Sequence, residues 1–149
     1  MKPLLLAAAG AALLTLVPAA RAHIVVTPGE VAAGHSATFE MRVPTELHVP
    51  TTRVRLQIPD GFSFSSIEPV AGWKMTIERT GDRVTAVEAK GKLRPDFFQR
   101  FVFRGRVPNV ETTLVWKVVQ TYRDGTVVRW TGEPGEEEAS ETKVGPPAL

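Results

Sequence analysis

His23 follows Ala20-Arg21-Ala22, where small residues stand at the two positions a signal peptidase reads. Cleavage after Ala22 would leave a mature chain that begins with a histidine carrying a free α-amine. That amine and the ring Nδ1 can close a six-membered chelate on one metal ion, with Nε2 left for other contacts. Both donors belong to one residue, so ordering them costs little entropy. Imidazole and amine nitrogens suit Cu(II), the tightest binder among the divalent first-row ions, and both give up their protons to it near neutral pH. His35 and His48 are the other two histidines of the chain. Either could in principle complete a two-histidine brace, but both lie in loop-like stretches, AAGHSA and TELHVP, where an exposed histidine is the simpler reading.

Other chemistries find less support. The chain has no cysteine, which removes disulfide scaffolds, zinc ribbons, iron–sulfur sites and thiol catalysis. Ser63, Ser65 and Ser66 have no histidine–acid partners marked in sequence, and no G-x-S-x-G elbow occurs. The acidic residues are scattered, with no pair set apart for acid–base work. Gly105 and Gly125 read as turn glycines, so no loop is marked to cradle phosphate.

The elements that must position His23 follow from the hydrophobic pattern. Lys2 and the apolar run Leu4–Val17, 14 residues long and closed by Pro18, form an export signal too short to span a membrane comfortably. Residues 1–22 are therefore expected to be removed, leaving 127 of the 149. The formal charge of +2 goes with Lys2 and Arg21, and the remaining 16 basic and 16 acidic side chains balance. No basic cluster interleaves with aromatics as a nucleic-acid groove requires.

Ser36–Val43 alternates Phe39, Met41 and Val43 against Thr38, Glu40 and Arg42; Thr51–Ile58 does the same with Val54, Leu56 and Ile58. Period-two alternation marks half-buried strands. Shorter runs follow at His23–Thr27, Phe62–Ile67, Trp73–Arg79, Arg83–Ala89, Phe97–Arg104, Thr112–Tyr122 and Thr126–Thr131. Asp124-Gly125, between two apolar runs, is the strongest hairpin signal. Helical stripes are absent. Eight or nine short strands within residues 23–132 predict an all-β, immunoglobulin-like antiparallel sandwich. Residues 133–149, rich in Glu, Pro and Gly, are expected to form a disordered acidic tail.

Several blocks carry a resemblance: IVVTPGEVAAG, RVPTELHVPTTRVRLQIPDGF, EPVAGWKM, FFQRFVFRGRVPN and VVQTYRDGTVVRWTG. Together they resemble the YcnI-like copper-binding domain, in family order over nearly all of residues 23–132. The resemblance implies an exported β-sandwich that binds or delivers copper, often encoded beside other copper-handling proteins of the periplasm or membrane. It also implies a Cu(II) site built as a single-histidine brace, with a glutamate from an F-x-E-F-like strand and a nearby tryptophan.

Carried onto this chain, the histidine is His23 and the tryptophan is Trp130. The glutamate position is a departure: the strand reads Phe98-Gln99-Arg100-Phe101, with Arg100 where the carboxylate belongs. An arginine cannot ligate copper, and its charge opposes a nearby cation. A one-residue slip would instead offer Gln99, a neutral oxygen donor. Three outcomes stay open: another carboxylate such as Glu40 or Glu68 completes the site, His23 binds with water, or the site is lost. The leading expectation is a non-catalytic, exported copper carrier or chaperone. The alternative is a periplasmic sandwich that has lost its metal and serves as an interaction module. A copper-brace oxidase ranks third, since such enzymes present an aromatic binding face and this chain has a single tyrosine, Tyr122, and three tryptophans.

Overall fold

Alternation decides where the chain extends. The computed structural model describes residues 22–147, so the expected export signal, Ala22 apart, lies outside the described residues. Among the described residues twelve strands run in chain order: β1 (Val25–Thr27), β2 (Glu30–Ala32), β3 (Ser36–Pro44), β4 (Thr51–Gln57), β5 (Ser63–Ile67) and β6 (Lys74–Thr80). They continue as β7 (Arg83–Leu93), β8 (Phe98–Arg106), β9 (Thr112–Trp116), β10 (Val118–Tyr122), β11 (Val127–Trp130) and β12 (Ser140–Gly145). A four-stranded sheet, β1-β3-β8-β5, faces a five-stranded one, β11-β10-β4-β7-β6. A third sheet, β2-β12-β9, lies against β1, where Ser140 Oγ accepts the Val26 amide at 2.9 Å. Among the described residues these strands pair antiparallel, except β2 with β12. The expected all-β sandwich is borne out.

Four aromatic rings from different parts of the chain close the core. Phe39, Phe62, Phe103 and Trp116 lie with every pair of centroids 5.2–6.1 Å apart. Those separations suit edge-to-face and offset contacts, each worth about 0.5–1.5 kcal/mol beyond area burial. With no cysteine to cross-link it, the sandwich relies on this packing and on its sheet ladders. Trp73 is half-buried and sits edge-on to Phe101 at 5.2 Å.

Three expectations need correction. The stretch Thr112–Tyr122 is not one strand but two, β9 and β10, which pair in different sheets. Leu114, Trp116, Val118, Gln120 and Tyr122 keep one unbroken alternation, and alternation says nothing about which neighbour a strand pairs with. At Lys117, whose carbonyl accepts the Gln57 amide at 2.9 Å, the partner changes from β12 to β4.

The acidic segment, expected to be a disordered tail from residue 133, carries β12. Its inward positions include Thr142, fully buried, and Val144. Thr142 Oγ1 accepts the Trp116 indole N–H at 2.9 Å and donates to Pro28 O at 2.9 Å. A hydroxyl satisfied in this way occupies a core position that hydrophobic periodicity cannot see.

Gly105 is no turn glycine: it lies within β8. A Cβ there would strike Phe62 Cζ and come within 2.7 Å of the Ser63 carbonyl oxygen. The Asp124-Gly125 hairpin, by contrast, forms as expected. Gly125 takes φ +88°, and the Asp124 carboxylate accepts the Thr126 amide at 2.9 Å.

On the outer face of the five-stranded sheet, Glu88 is buried between Arg53, at 2.7 Å through Nε, and Lys90, at 3.5 Å. Burial alone would raise its pKa, but the Arg53 hydrogen bond and charge, with those of Lys90, outweigh it and hold the carboxyl below its ordinary value.

Two predictions follow from these contacts. Gly105→Ala should lower stability by roughly 1–3 kcal/mol, because a fixed backbone oxygen bars the methyl; chemical denaturation measures it. For Glu88 the folded pKa lies below the unfolded one, so its stabilisation exists above about pH 4.3 and fades as pH falls through the lowered folded value. The stability margin of wild type over Glu88→Gln should therefore shrink in acid, and a constant margin across a pH series would contradict this.

Candidate functional site

His23 owes its position to its neighbours in sequence. Ile24 and Val26 are buried, so the odd residues of this segment, His23 and Val25, turn away from the core. His23 thus leads into β1, the edge of the four-stranded sheet, with its ring exposed. Trp130 ends β11, the edge of the five-stranded sheet, and is 1% exposed. The two edges meet here: the His23 and Trp130 rings lie 5.8 Å apart, edge-on at 71°.

His23 lines a cavity of about 450 Å³ together with Ala22, Arg42, Thr45, Asp96 and Phe98. Phe97 and Phe98 are 55% and 63% exposed, and both wall this cavity. A larger cavity of about 710 Å³ lies under the acidic segment, lined by Lys117, Glu133, Glu138 and Glu141 among others. It has carboxylates but no imidazole, and Lys117 is already paired with Glu133 at 2.7 Å. Of these two cavities, the one at His23 holds an imidazole, a donor that suits a borderline metal.

The other candidates fall elsewhere. Arg100 lies on the outer face of the four-stranded sheet, level with Arg42 on β3, and does not line the cavity. Its guanidinium is 3.6 Å from Glu40, which also has Arg42 at 3.8 Å. Glu40 is therefore shared between two arginines and does not line the cavity. Gln99 has the opposite parity to Arg100, and its amide donates to the Arg100 carbonyl at 2.9 Å. Glu68 follows β5, where its backbone N–H donates to Val102 O at 2.8 Å.

Neither proposed brace partner joins His23. His35 precedes Ser36 at the far end of β3, about 30 Å along the strand direction from Pro44. His48 is exposed in the β3–β4 connection and does not line the cavity. Among the described residues no three His, Cys, Asp or Glu side chains cluster as a metal cage. Burial raises the Tyr122 phenol above its ordinary value, with the Glu46 amide at 3.4 Å pulling against that rise, so it offers no phenolate. The donors that remain are His23 and Asp96. Residue patterns passed over Asp96, whose one sequence signal is the turn dipeptide Pro95-Asp96.

Residues 23–149 match the family described as a domain of unknown function, DUF1775. A protein of Bacillus subtilis (strain 168) named copper-binding protein CutI is 38% identical over 117 residues, covering 76% of this chain. The chain spans 57% of the length of that relative. Among solved structures, an uncharacterized protein from Nocardia farcinica with an immunoglobulin-like fold superposes with a TM-score of 0.70 at 29% identity, over 82% of this chain and 97% of its own. A cohesin module from a Clostridium perfringens family 33 glycoside hydrolase gives 0.52 at 11% identity, over 83% of this chain and 96% of its own. That second likeness is one of fold alone.

Trp130 is held from inside by one amide. Its indole N–H donates to Gln120 Oε1 at 3.1 Å. Gln120 Nε2 in turn donates to Pro44 O at 2.7 Å and Thr51 Oγ1 at 2.8 Å. Gln120 is fully buried, and among the described residues no buried side-chain polar atom lacks a partner. Gln120→Leu should cost roughly 1–3 kcal/mol, since it orphans buried groups while keeping the volume. It should also shift the Trp130 indole N–H and His23 ring signals in an NMR spectrum, and unmoved signals would show that Gln120 does not hold this site.

Proposed function

The chain belongs to the DUF1775 family, and from that premise we propose that it is an exported copper-binding protein that holds Cu(II) through His23. The observation that carries this is the exposed His23 ring, which lines an open cavity and packs edge-on against the buried Trp130. Ala22 and His23 both line that cavity, so cleavage between them would release the α-amine directly into it. The new amine and Nδ1 would then form the chelate, a donor set that suits Cu(II). Trp130, whose only polar atom is turned inward onto Gln120, supplies an apolar flank that keeps competing ligands from one side. The matched segment begins at His23, and the Bacillus subtilis relative is named for copper binding. Both support the reading.

A cavity open to solvent leaves room for an incoming ligand, which suits a carrier or chaperone that releases its ion by ligand exchange. Export to the periplasm or beyond rests on the sequence of residues 1–22. A second reading, an interaction module without metal, draws on Arg100 standing where a carboxylate is expected and on the exposure of Phe97 and Phe98.

Intact-mass analysis of the exported protein should find a start at His23, and copper titration should give one Cu(II) per chain. His23→Ala should abolish tight binding without unfolding the domain, because the ring is exposed. One extra residue placed before His23 should do the same by removing the free amine. A different start, or copper uptake unchanged in His23→Ala, would overturn the metal reading and favour the interaction module.

A further inference from the structure

We infer that Asp96 supplies a carboxylate to the copper site; this rests on the His23 reading above. Asp96 is the carboxylate residue among those lining the His23 cavity, and it reaches that wall through an unusual backbone. The Phe97 amide donates to Arg94 O at 3.3 Å across a four-residue turn, with Pro95 at its second position and Asp96 at its third. Asp96 takes φ +69°, the only positive φ at a non-glycine residue among the described residues. A type II turn requires that conformation at its third position, and glycine adopts it at the lowest cost. The chain places an acidic residue there instead, on the wall shared with His23. Strain kept beside a binding site is a pointer to function.

Charge makes the same demand. The amine and imidazole of His23 bind Cu(II) as neutral donors. Arg42 also lines the cavity, so a cationic residue stands on the same wall. Its own partner, Glu40, lies 3.8 Å away and is shared with Arg100. Arg94, in the turn itself, lies over the Phe97 ring at 4.8 Å. A dipositive ion beside Arg42 thus needs an anion on the cavity wall, and Asp96 provides it. Two nitrogens from His23 and one oxygen from Asp96 form a donor set of the kind Cu(II) accepts. Arg42 is also the competitor: an Asp96–Arg42 ion pair would leave the metal with His23 and water.

The test uses the exported, processed protein beginning at His23. Cu(II) affinity is measured by competition with a chelator of known strength, and the copper environment by EPR. Asp96→Asn keeps a residue that tolerates positive φ, while Asp96→Gly removes the carboxylate and relaxes the turn, so the fold survives in both. Both variants should bind roughly ten- to a hundredfold more weakly than wild type, a scale on which metal sites lose affinity when a supporting group is removed. Their EPR hyperfine pattern should change as an oxygen donor is lost, and Asp96→Gly should melt no lower than wild type. If both variants keep wild-type affinity and spectrum while His23→Ala loses copper, the Asp96 assignment falls and the His23 reading stands. If His23→Ala keeps copper, both fall.

Discussion

One buried side-chain amide ties the two main sheets together beside the candidate site. Gln120 belongs to β10 of the five-stranded sheet, yet its Nε2 donates to the carbonyl of Pro44, the last residue of β3 in the four-stranded sheet. Its oxygen takes the indole N–H of Trp130, and its nitrogen also reaches the Thr51 hydroxyl. Thr51 is in turn 2.9 Å from the Thr45 hydroxyl, which lies in the connection that lines the His23 cavity. In a low-dielectric interior such a network strengthens when every member is satisfied and becomes costly when one is not. The amide thereby joins the end of β3 in one sheet to the end of β11, the edge of the other, without itself reaching solvent.

That arrangement explains how an exposed histidine can be well positioned. Ile24 and Val26 bury themselves and orient the ring outward, while Ser140 of the acidic segment fixes the Val26 amide. Trp130 then supplies a rigid flank 5.8 Å from the ring, because its own polar atom is committed to Gln120. The open side is walled by Phe97, Phe98 and the Asp96 turn.

Much of the fold was legible in the residues because half-buried strands advertise themselves by alternation. Phe39, Met41 and Val43, and likewise Val54, Leu56 and Ile58, are inward as their pattern requires. The Asp124-Gly125 hairpin was legible for a different reason, since only certain residues accept the backbone of a tight turn. The misses have equally specific causes. β12 enters the core through Thr142, whose polarity hides it from any hydrophobic pattern. The break between β9 and β10 leaves the alternation intact and changes only the hydrogen-bonding partner. Gly105 looked like punctuation, whereas its lack of a side chain makes room for Phe62.

At the site the division is sharper. By itself the sequence determined which donors exist: His23 behind Ala20-Arg21-Ala22, a tryptophan at 130, no cysteine, and an arginine at position 100. It also determined the strand faces, because side-chain direction along a strand is a matter of parity. Only the tertiary structure decided which of those donors share a space. It set Trp130 beside His23, tied Glu40 to two arginines, left His35 at the other end of β3, and placed Asp96 on the cavity wall. Parity is a local property of the backbone, whereas proximity between edge strands of two sheets depends on how the whole sandwich closes.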